Sequence, residues 1–375
     1  MKIAFYAPMK SPDHPIPSGD QIVGRALISA LEGAGHDVDI GCRIRTWQKF
    51  PDARRQERLA ELSERAAEML VRRYRRRPGQ RPDLWFTYHL YHKAPDWLGP
   101  AVSERMGIPY VVAEASFAPK RAAGPWDVGH KAAEAAIRKA KAIFGMNSLD
   151  AACVVPLVSD GAGMVQLKPF LAGEAGPGRA GRGQARWALS ARYGLDPEIP
   201  WLLTVAMMRD DAKLRSYETL AAALDRISGA SWQLVVAGDG GARSKVEKLL
   251  PLDRCVFTGQ LGADGLAVLY SAADLYVWPA INEAYGMALL EAQAAGLPVV
   301  AGDTGGVGDI VRHGETGLLV PVGDAAAFAE AVMSLLGDED RLGDMGGRAA
   351  EVAEREHSLE AASAAMGPVL EALVQ

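Results

Sequence analysis

The feature that most constrains the fold is a double series of short apolar segments that alternate with segments of helical composition. In the first series the strand-like segments are residues 2–7, 37–41, 84–88 and 110–113. The second series begins at Trp201 and continues through WQLVVAG, CVFTG, DLYVW and LPVVAG. Buried strands separated by helices are typical of a parallel, doubly wound sheet. The sequence therefore predicts an α/β protein with two Rossmann-like domains that face a central cleft.

The length of the chain supports this division. A chain of 375 residues is long for one hydrophobic core, and it suits two domains of roughly 150 to 200 residues each. Residues 173–186 include a glycine-rich, apolar-poor stretch that is typical of a linker. We predict a first domain at residues 1–172 and a second at residues 187–356. An amphipathic helix at residues 357–375 either crosses back onto the first domain or caps the second.

The linker contains three glycines in the nominal spacing of a dinucleotide-binding loop, namely Gly176, Gly178 and Gly181. That motif requires a strand before it and a helix that opens at its end. Here it lies in low-complexity sequence, far from the first strand. The spacing therefore does not support a nicotinamide-dependent dehydrogenase.

The charge and hydropathy of the chain argue against a nucleic-acid-binding, a membrane-spanning or a secreted protein. The formal net charge of −5 gives it no general affinity for nucleic acid. No apolar run approaches the roughly 18 residues of a membrane span, and the opening segment MKIAFYAP is too short for a secretory signal. We therefore expect a cytoplasmic protein.

An arginine-rich segment with interleaved glutamates runs from Arg54 to Arg77. One interpretation is a solvated helix with ion pairs between residues four apart. The other is a basic face for an anionic membrane surface or a phosphorylated acceptor. The second interpretation adds peripheral contact with the inner face of the membrane.

Two glutamates, Glu283 and Glu291, flank a predicted loop-to-helix junction in the second series. The apolar segment DLYVW precedes them, residues 284–295 have helical composition, and Gly296 ends that helix. Eight residues of α-helix rise about 12 Å, comparable with the distance from a nucleotide's ribose to the sugar beyond its diphosphate. An ionised glutamate accepts two hydrogen bonds from a vicinal diol, and sugar and ribose both offer one.

The residues between the two glutamates suit a phosphate group. The backbone N–H groups around Tyr285, Gly286 and Met287 open the predicted helix. At that place unpaired donors and the helix dipole favour an anion. Gly286 lets the backbone approach a ligand closely. The whole stretch therefore predicts a nucleotide-sugar site.

A pair of cations follows the first strand of the second series. Arg209 lies where that strand is expected to end, and Lys213 follows four residues later. Ligands of α/β sheets bind at this carboxyl edge, where two cations can hold a diphosphate. The alternative is a basic surface loop balanced by Asp210 and Asp211.

The segment from Pro279 to Asp303 resembles the glutamate motif of retaining glycosyltransferases with the GT-B fold, in particular glycosyltransferase family 4. The resemblance rests on the strand that ends in Pro279, the AYGM turn, GLPVV, the Gly305-Gly306 pair and GETGLLVPVGD. It covers most of residues 199–330.

The resemblance implies roles for the residues of the second domain. Glu283 would orient the hydroxyls of the donor sugar and Glu291 those of the ribose, while Arg209 and Lys213 would contact the phosphates. The family often has a glycine directly after the lysine, whereas this chain has Leu214 and Arg215. Arg215 can share or replace the role of the lysine.

The first domain offers weaker candidates. The segment PIPSG resembles the family's glycine loop, which makes Gly19 a donor-binding candidate. Ser18 in the same segment can instead cap the following helix. Many family members place a histidine near the donor sugar at a position where this chain has Glu114. The candidates for that contact are, in order, Glu114, His89 and His130, and each also suits an ordinary surface or core position.

The activity that the resemblance implies is transfer of a sugar from a nucleotide diphosphate sugar, most commonly a UDP-sugar, with retention at the anomeric carbon. In the mechanism that the resemblance implies, the leaving diphosphate deprotonates the acceptor. The cationic side chains replace a metal ion, so we expect no metal or other cofactor. The expected partners are the donor and an unidentified saccharide, small metabolite or lipid. Two alternatives stay open, a nucleotide-sugar epimerase of similar fold and a sugar-nucleotide-binding protein without transfer activity.

Overall fold

The structure is a computed structural model that describes residues 1–16, 18–159, 161–173 and 181–374. The chain divides into two compact units. The first comprises Met1–Lys168 and the C-terminal segment from Leu359, and the second comprises Pro169–Ser358. Most of the predicted linker, with Gly176 and Gly178, lies outside the described residues.

The first unit is built on one parallel sheet. In the described chain its six strands are β1 (Lys2–Tyr6), β2 (Asp37–Cys42), β3 (Leu84–Leu90), β4 (Tyr110–Ala115), β5 (Ala142–Gly145) and β6 (Gly163–Gln166). Their order in the sheet is β2-β1-β3-β4-β5-β6. The helices between them are α1 (Gly19–Gly33), α2 (Ala53–Arg76), α3 (Leu98–Met106), α4 (Asp127–Lys139) and α5 (Ser148–Val154).

The second unit repeats this design. Its strands are β7 (Trp201–Val205), β8 (Gln233–Ala237), β9 (Cys255–Gly259), β10 (Leu275–Trp278), β11 (Val299–Gly302) and β12 (Gly317–Val320). They form a parallel sheet in the order β12-β11-β10-β7-β8-β9. The helices are α6 (Arg182–Tyr193), α7 (Ala212–Arg226), α8 (Arg243–Leu249), α9 (Ala263–Ala272), α10 (Met287–Ala294), α11 (Ala325–Leu336) and α12 (Glu339–His357).

The central strands of the second sheet are β7 and β10, which pair directly through Leu275 with Leu202 and Tyr276 with Leu203. From β7 the chain winds outward to β8 and β9, and from β10 it winds the other way to β11 and β12. The strand order therefore reverses between β7 and β10. The carboxyl ends of strands at such a reversal leave a crevice in which ligands bind.

The last helix, α13 (Leu359–Ala372), is part of the first unit. Its Ser363 hydroxyl donates a hydrogen bond to the carbonyl oxygen of Ala30 in α1, at 2.9 Å. Gly33 of α1 leaves room for this contact, because an added Cβ would lie 2.7 Å from the Ser363 Oγ. His357 ends α12 and stays in the second unit, where its Nδ1 lies 2.6 Å from the carbonyl oxygen of Pro169.

Several elements fall outside the sequence prediction. The four-residue strands β5, β6 and β12 were not among the predicted strand segments. Helix α6 begins at Arg182, inside the predicted linker, and belongs to the second unit. Its apolar face is narrow, with Leu189 as its buried residue, so its composition resembles that of a linker.

A buried ion pair attaches α6 to the second sheet. The Arg186 Nη1 lies 2.9 Å from the Asp274 Oδ2, and both side chains are 12% exposed. Arg182 also pairs with Asp274. The same Oδ2 accepts a hydrogen bond from the Trp201 backbone N–H at 2.7 Å, and the Arg186 guanidinium lies 4.2 Å from the Trp201 ring centroid. The pair therefore joins a helix to the first strand of the sheet.

We expect Asp274→Ala to destabilise the second unit by about 3 kcal/mol, because it leaves the buried Arg186 charge without its carboxylate. For a unit of this size that loss lowers Tm by roughly 6–12 °C in a thermal unfolding experiment. Asp344→Ala on the exposed side of α12 is the matched control, with little expected change. Equal Tm values for the two variants would contradict this account of the ion pair.

Candidate functional site

The candidate site is formed by two loops at the carboxyl edge of the second sheet. One loop, residues 206–211, follows β7, and the other, residues 279–286, follows β10. A cavity of about 750 Å³ opens between them, lined by residues 209–215, Glu218 and residues 281–284. The strand reversal between β7 and β10 thus opens into a cavity large enough for a small ligand.

An ion pair between Lys213 and Glu283 joins the start of α7 to the loop after β10. Lys213 lies in the first turn of α7, and its Nζ contacts the Oε2 of Glu283, 70 residues further along the chain. The Trp278 Nε1 donates to the same oxygen at 3.2 Å, and the Lys213 ammonium lies 5.3 Å from the Trp278 ring centroid. The side chains of Lys213 and Glu283 are only 18% and 16% exposed. A half-buried cation and carboxylate therefore meet at the floor of the cavity.

The sequence around Lys213 explains its position. Asp211 caps α7, since its Oδ1 accepts a hydrogen bond from the Lys213 backbone N–H at 2.9 Å. One turn later the Ser216 Oγ accepts from the Ile281 backbone N–H at 3.0 Å. Tyr217, also in α7, donates to the carbonyl oxygen of Ala206 at 3.1 Å. Helix α7 is therefore hydrogen-bonded to both loops.

Arg209 lies at the rim of the cavity rather than at its floor. Its side chain is 54% exposed, and its Nε lies 3.2 Å from the Asp211 Oδ2. The adjacent Asp210 pairs with Lys245 at 2.6 Å, and Arg215 is exposed. The structure brings Lys213 and Glu283 into contact, while Arg209 stays beside them with a guanidinium that a ligand can reach.

Glycines allow close backbone approach on both sides of the site. An added Cβ on Gly302 would overlap the carbonyl oxygen of Pro279, and one on Gly305 would overlap that of Glu283. On the other side, added Cβ atoms on Gly238 and Gly240 would overlap carbonyl oxygens of the loop after β7. Gly305 also has a φ of 55°. Because these positions are glycines, the neighbouring backbone packs directly against both loops and holds them in place.

The loop after β10 holds an unusual backbone conformation. Ala280 and Asn282 both have a φ of 54°, a left-handed value that non-glycine residues rarely adopt. Such strain persists where the surroundings fix the backbone, and it is concentrated at functional sites. Here it sets the direction in which the next residue, Glu283, leaves the main chain.

The second glutamate, Glu291, lies in α10. Tyr270 of α9 donates a hydrogen bond to its Oε2 at 2.8 Å. Burial raises the pKa of Glu291, and the hydrogen bond from Tyr270 offsets part of this effect. The helix begins only at Met287, so the prediction that eight residues of helix separate Glu283 from Glu291 is wrong. The separation of about 12 Å that assumed eight residues of helix loses its basis.

Tyr276 lies close enough to Glu283 and to Glu291 for both charges to act on its hydroxyl. Its hydroxyl donates to the carbonyl oxygen of Val205 at 3.1 Å, at the end of β7. Burial raises the pKa of Tyr276 well above its usual value, and the negative charges of Glu291 and Glu283 raise it further. Neither Tyr276 nor the Tyr270 partner of Glu291 was found from the sequence, because both look like ordinary core tyrosines in apolar segments.

Between the two glutamates, Gly286 is the N-cap residue of α10, with a φ of 77° and no side-chain cap. Its carbonyl oxygen accepts from the Leu289 backbone N–H at 2.7 Å. Met287 is the first residue of the helix, and Tyr285 precedes the cap, half-buried. The start of α10, which follows the cavity-lining residues 281–284 in the chain, thus has backbone N–H groups and the positive end of the helix dipole available.

The first unit holds its own group of candidates. His89 lies in β3 and Glu114 in β4, with left-handed φ values of 63° and 58°. The His89 Nδ1 lies 3.0 Å from the Oδ1 of Asp20 in α1. Burial lowers the pKa of His89, but the negative charges of Glu114, Asp20 and Asp150 outweigh it and hold the pKa above its usual value. His89 and Glu114 are thus neighbours at the carboxyl edge of the first sheet.

The remaining candidates of the first unit are dispersed. Ser18 is the N-cap of α1, where its side chain accepts from the Gln21 backbone N–H at 3.4 Å. Gly19 begins the helix beside open space. His130 is buried in α4 and stacks on Phe117, with ring centroids 4.5 Å apart. These placements leave their predicted roles untested.

The arginine-rich segment from Arg54 to Arg77 forms α2 and the residue after it. It exposes two large apolar side chains among the arginines, Leu62 at 48% and Met69 at 65%. None of the helices in the described part of the chain has the length and apolarity that a membrane crossing requires. Peripheral membrane contact through α2 stays a prediction.

The donors and acceptors of the site suit a phosphate and a polyol. In the residues that the structure describes, no group of three or more His, Cys, Asp or Glu side chains is arranged to hold a metal ion. The carboxylates of Asp211 and Asp338 accept backbone N–H groups as the caps of α7 and α12.

Comparison with known proteins finds a family that the second unit resembles. Residues 199–338 match the family model described as Glycosyl transferases group 1. The second unit thus carries a segment that is similar to the domain of group 1 glycosyltransferases. This segment includes β7, β10, Lys213, Glu283 and Glu291, so the whole candidate site lies within it.

A curated relative of the chain is the alpha-D-kanosaminyltransferase of Streptomyces kanamyceticus. It is 35% identical over 181 residues, which are 47% of this chain and 46% of the relative. The chain thus spans less than half of the length of the first curated relatives that it matches.

Two solved structures share the architecture of the complete chain. Sucrose-phosphate synthase from Thermosynechococcus elongatus has a TM-score of 0.70 at 24% identity, over 99% of this chain and 98% of that one. The Alr3699/HepE protein of Anabaena, solved in complex with UDP, has a TM-score of 0.71 at 15% identity, over 100% of both chains. These likenesses establish the GT-B fold that the sequence predicts.

We expect Gly305→Ala to displace the loop that carries Glu283. The added methyl would overlap the Glu283 carbonyl oxygen, in addition to the strain of a left-handed alanine. Gly314→Ala is the matched control, because Gly314 has a φ of 79° but open space around it, so it carries only the strain of about 1–2 kcal/mol. Thermal unfolding should show a loss for Gly305→Ala at least twice as large. Equal losses would show that the loop does not depend on this backbone contact.

We expect Glu291→Gln to stabilise the protein at neutral pH. Burial holds the pKa of folded Glu291 above its ordinary value of 4.5, so between 4.5 and the raised pKa the folded state binds more protons than the unfolded state. Wild-type stability therefore falls as the pH rises through this window, and the variant lacks that fall. Its advantage in Tm should be smallest near pH 4 and largest near pH 7.

The control for this comparison is Glu330→Gln on α11, since Glu330 is exposed. Its Tm should follow that of the wild type at every pH. A Glu291→Gln variant whose Tm difference is the same at pH 4 and pH 7 would show that the carboxylate is not destabilised by burial.

Proposed function

We propose that this chain is a retaining glycosyltransferase that moves a sugar from a nucleotide diphosphate sugar, with UDP as the nucleotide, to an acceptor hydroxyl. The observation that carries the proposal is the half-buried Lys213–Glu283 pair at the strand reversal, within the segment similar to group 1 glycosyltransferases. It sets a cation for a phosphate beside a carboxylate for sugar hydroxyls. The choice of UDP is supported by the Anabaena neighbour, which was solved with that nucleotide.

The donor would be held along the path from Lys213 to Glu291. Lys213 and Arg209 are the cations within reach of the diphosphate, and the uncapped start of α10 adds backbone N–H donors. Glu291 has an apolar setting and one hydrogen bond from Tyr270. A ribose diol would supply two further donors to that carboxylate, which offsets the cost of keeping it ionised while buried.

The proposed reaction follows from this arrangement. The bond between the anomeric carbon and the phosphate oxygen breaks, and its electron pair leaves with the diphosphate. Lys213, Arg209 and the α10 N-terminus stabilise the negative charge that develops there. The acceptor oxygen forms its bond on the same face, and its proton passes to the departing phosphate oxygen. The protein contributes position and charge, so the scheme needs no metal ion.

In this scheme Glu283 has two tasks. It would orient the sugar hydroxyls, and it holds Lys213 in place until the donor arrives, because the two side chains are already in contact. The diphosphate competes with Glu283 for the same ammonium, which can donate three hydrogen bonds. Donor binding therefore redistributes the hydrogen bonds of Lys213 and leaves Glu283 free to accept from the sugar.

We expect UDP to stabilise the wild-type protein and to lose this effect in Glu291→Ala. Ligand at 100 times its Kd adds about 2.7 kcal/mol of stability, which thermal unfolding with UDP, GDP and ADP can detect. Glu330→Ala should keep the full shift, since it removes an exposed glutamate outside the cavity lining. A UDP shift of equal size in both variants would remove the ribose role from Glu291, and no shift with any nucleotide would overturn the donor site.

The second test concerns stereochemistry and needs no acceptor. Retaining transferases presented with water should release the sugar of a UDP-α-sugar first as its α-anomer, which proton NMR distinguishes from the β-anomer during the first minutes. We expect Lys213→Ala to lower this rate by at least 100-fold, because the leaving diphosphate loses its half-buried cation. Early release of the β-anomer would contradict retention, an epimerised nucleotide sugar would indicate an epimerase, and an unchanged donor would indicate a binding protein.

A further inference from the structure

A second group of cations lies at the carboxyl edge of the first sheet, apart from His89 and Glu114. Lys93 lies in the loop after β3, and Arg121 lies in the loop after β4. Because β3 and β4 are paired neighbours, the two loops are adjacent. In the part of the chain that the structure describes, neither cation forms an ion pair with a carboxylate. Their charges are therefore not balanced by the protein around them.

Ring contacts and charge effects show that the two loops meet. The Lys93 Nζ lies 5.7 Å from the Trp126 ring centroid, and the His92 ring packs edge-on against Trp126 at 5.5 Å. Burial, together with the smaller effects of the charges of Arg121, Lys93 and His130, lowers the pKa of His92 to about 4. The nearby Asp127 is already bound to Lys131 at 2.6 Å. The group is thus electropositive even with a neutral His92.

Buried polar atoms without partners lie beside these cations. Gln48 is 3% exposed, and neither its Oε1 nor its Nε2 has a hydrogen-bond partner in the described structure. Its backbone N–H donates to the carbonyl oxygen of Lys93 at 2.9 Å. The Nε2 of Gln56, a residue 1% exposed, and the Nε2 of His92 are also unpartnered there. Buried polar atoms in this state are rare in native proteins, and a bound ligand would supply their partners.

The Gln56 side chain and the His92 main chain lie at the first turn of α4. The Gln56 Oε1 accepts from the Gly129 backbone N–H at 3.0 Å. An added Cβ on Gly129 would lie 2.8 Å from the Gln56 Nε2 and would overlap the His92 carbonyl oxygen. Trp126, the N-cap residue of this 13-residue helix, supplies no side-chain cap. The Gln56 amide and Lys93 therefore lie near the positive end of the α4 dipole, and Arg121 is close enough for its charge to act on His92.

We propose that this group is a phosphate subsite, and that the acceptor of the proposed transferase carries a phosphate group that Lys93 and Arg121 bind. The proposal rests on the proposed function only where it identifies the phosphate compound as the acceptor of the transferase. A phosphate has three terminal oxygens with room for many donors, whereas a carboxylate has two oxygens. The lysine, the arginine fork and the two glutamine amides together offer more donors than a carboxylate can accept. The phosphate belongs either to a small metabolite or to a lipid headgroup.

The first test is histidine-labelled NMR of the full chain with inorganic phosphate, in the presence of UDP to occupy the donor site. We expect the His92 and His130 signals, assigned with His92→Gln and His130→Gln, to shift in a saturable manner. The midpoint should rise at least tenfold in the double variant Lys93→Ala, Arg121→Ala. Lys120→Ala is the matched control, because Lys120 is an exposed lysine adjacent to Arg121, and it should keep the wild-type midpoint.

The outcomes separate the two proposals. Signals of His92 and His130 that do not respond, or the same midpoint in the double variant and in the wild type, would overturn the phosphate subsite. A failure of UDP to bind would overturn the donor site, and the phosphate titration would still be read in the Lys213→Ala variant. The signal of His313, in the second unit, is the internal reference, and a response at His313 alone counts against the subsite.

Two further probes identify the source of the phosphate. Glycerol 3-phosphate represents a small metabolite, and vesicles of phosphatidylglycerol represent a lipid headgroup. Binding of either probe that depends on Lys93 and Arg121 but not on Lys120 supports the subsite, and the tighter of the two gives the source. Binding of neither, or binding that all variants share, would overturn it.

Discussion

The pairing of β7 with β10 is the constraint on which the candidate site depends. These strands are far apart in the sequence, yet they lie side by side at the point where the strand order reverses. The segments that follow them must therefore approach each other. The Lys213–Glu283 ion pair joins these segments and places a cation beside a carboxylate. A donor that spans phosphate and sugar can use both charges at once.

The site is held by backbone and by burial more than by surface charge. Gly302 and Gly305 let neighbouring backbone touch the loop after β10, and that loop keeps two left-handed non-glycine residues. Glu291 is kept in a setting that raises its pKa. Both features cost stability and are expected where binding geometry matters more than the stability of the empty protein.

Much of the fold was predictable, because apolar segments alternating with helices leave few topologies other than a doubly wound sheet. The two glutamates and Lys213 could also be predicted as site residues, because each motif follows a predicted strand. The strand β5 was missed because it follows α4 without a glycine or proline that would mark the boundary between them. Tyr270 and the unpartnered Gln48 were missed for another reason. Their importance comes from contacts between distant segments, which no local pattern records.

The most direct test of the central claim is a crystal structure of the protein with bound UDP. The account predicts a diphosphate oxygen within hydrogen-bond distance of the Lys213 Nζ, with the ribose hydroxyls on the Glu291 carboxylate and the start of α10 facing the phosphates. UDP bound elsewhere, or bound without a hydrogen bond to Lys213 or to Glu291, would contradict the account.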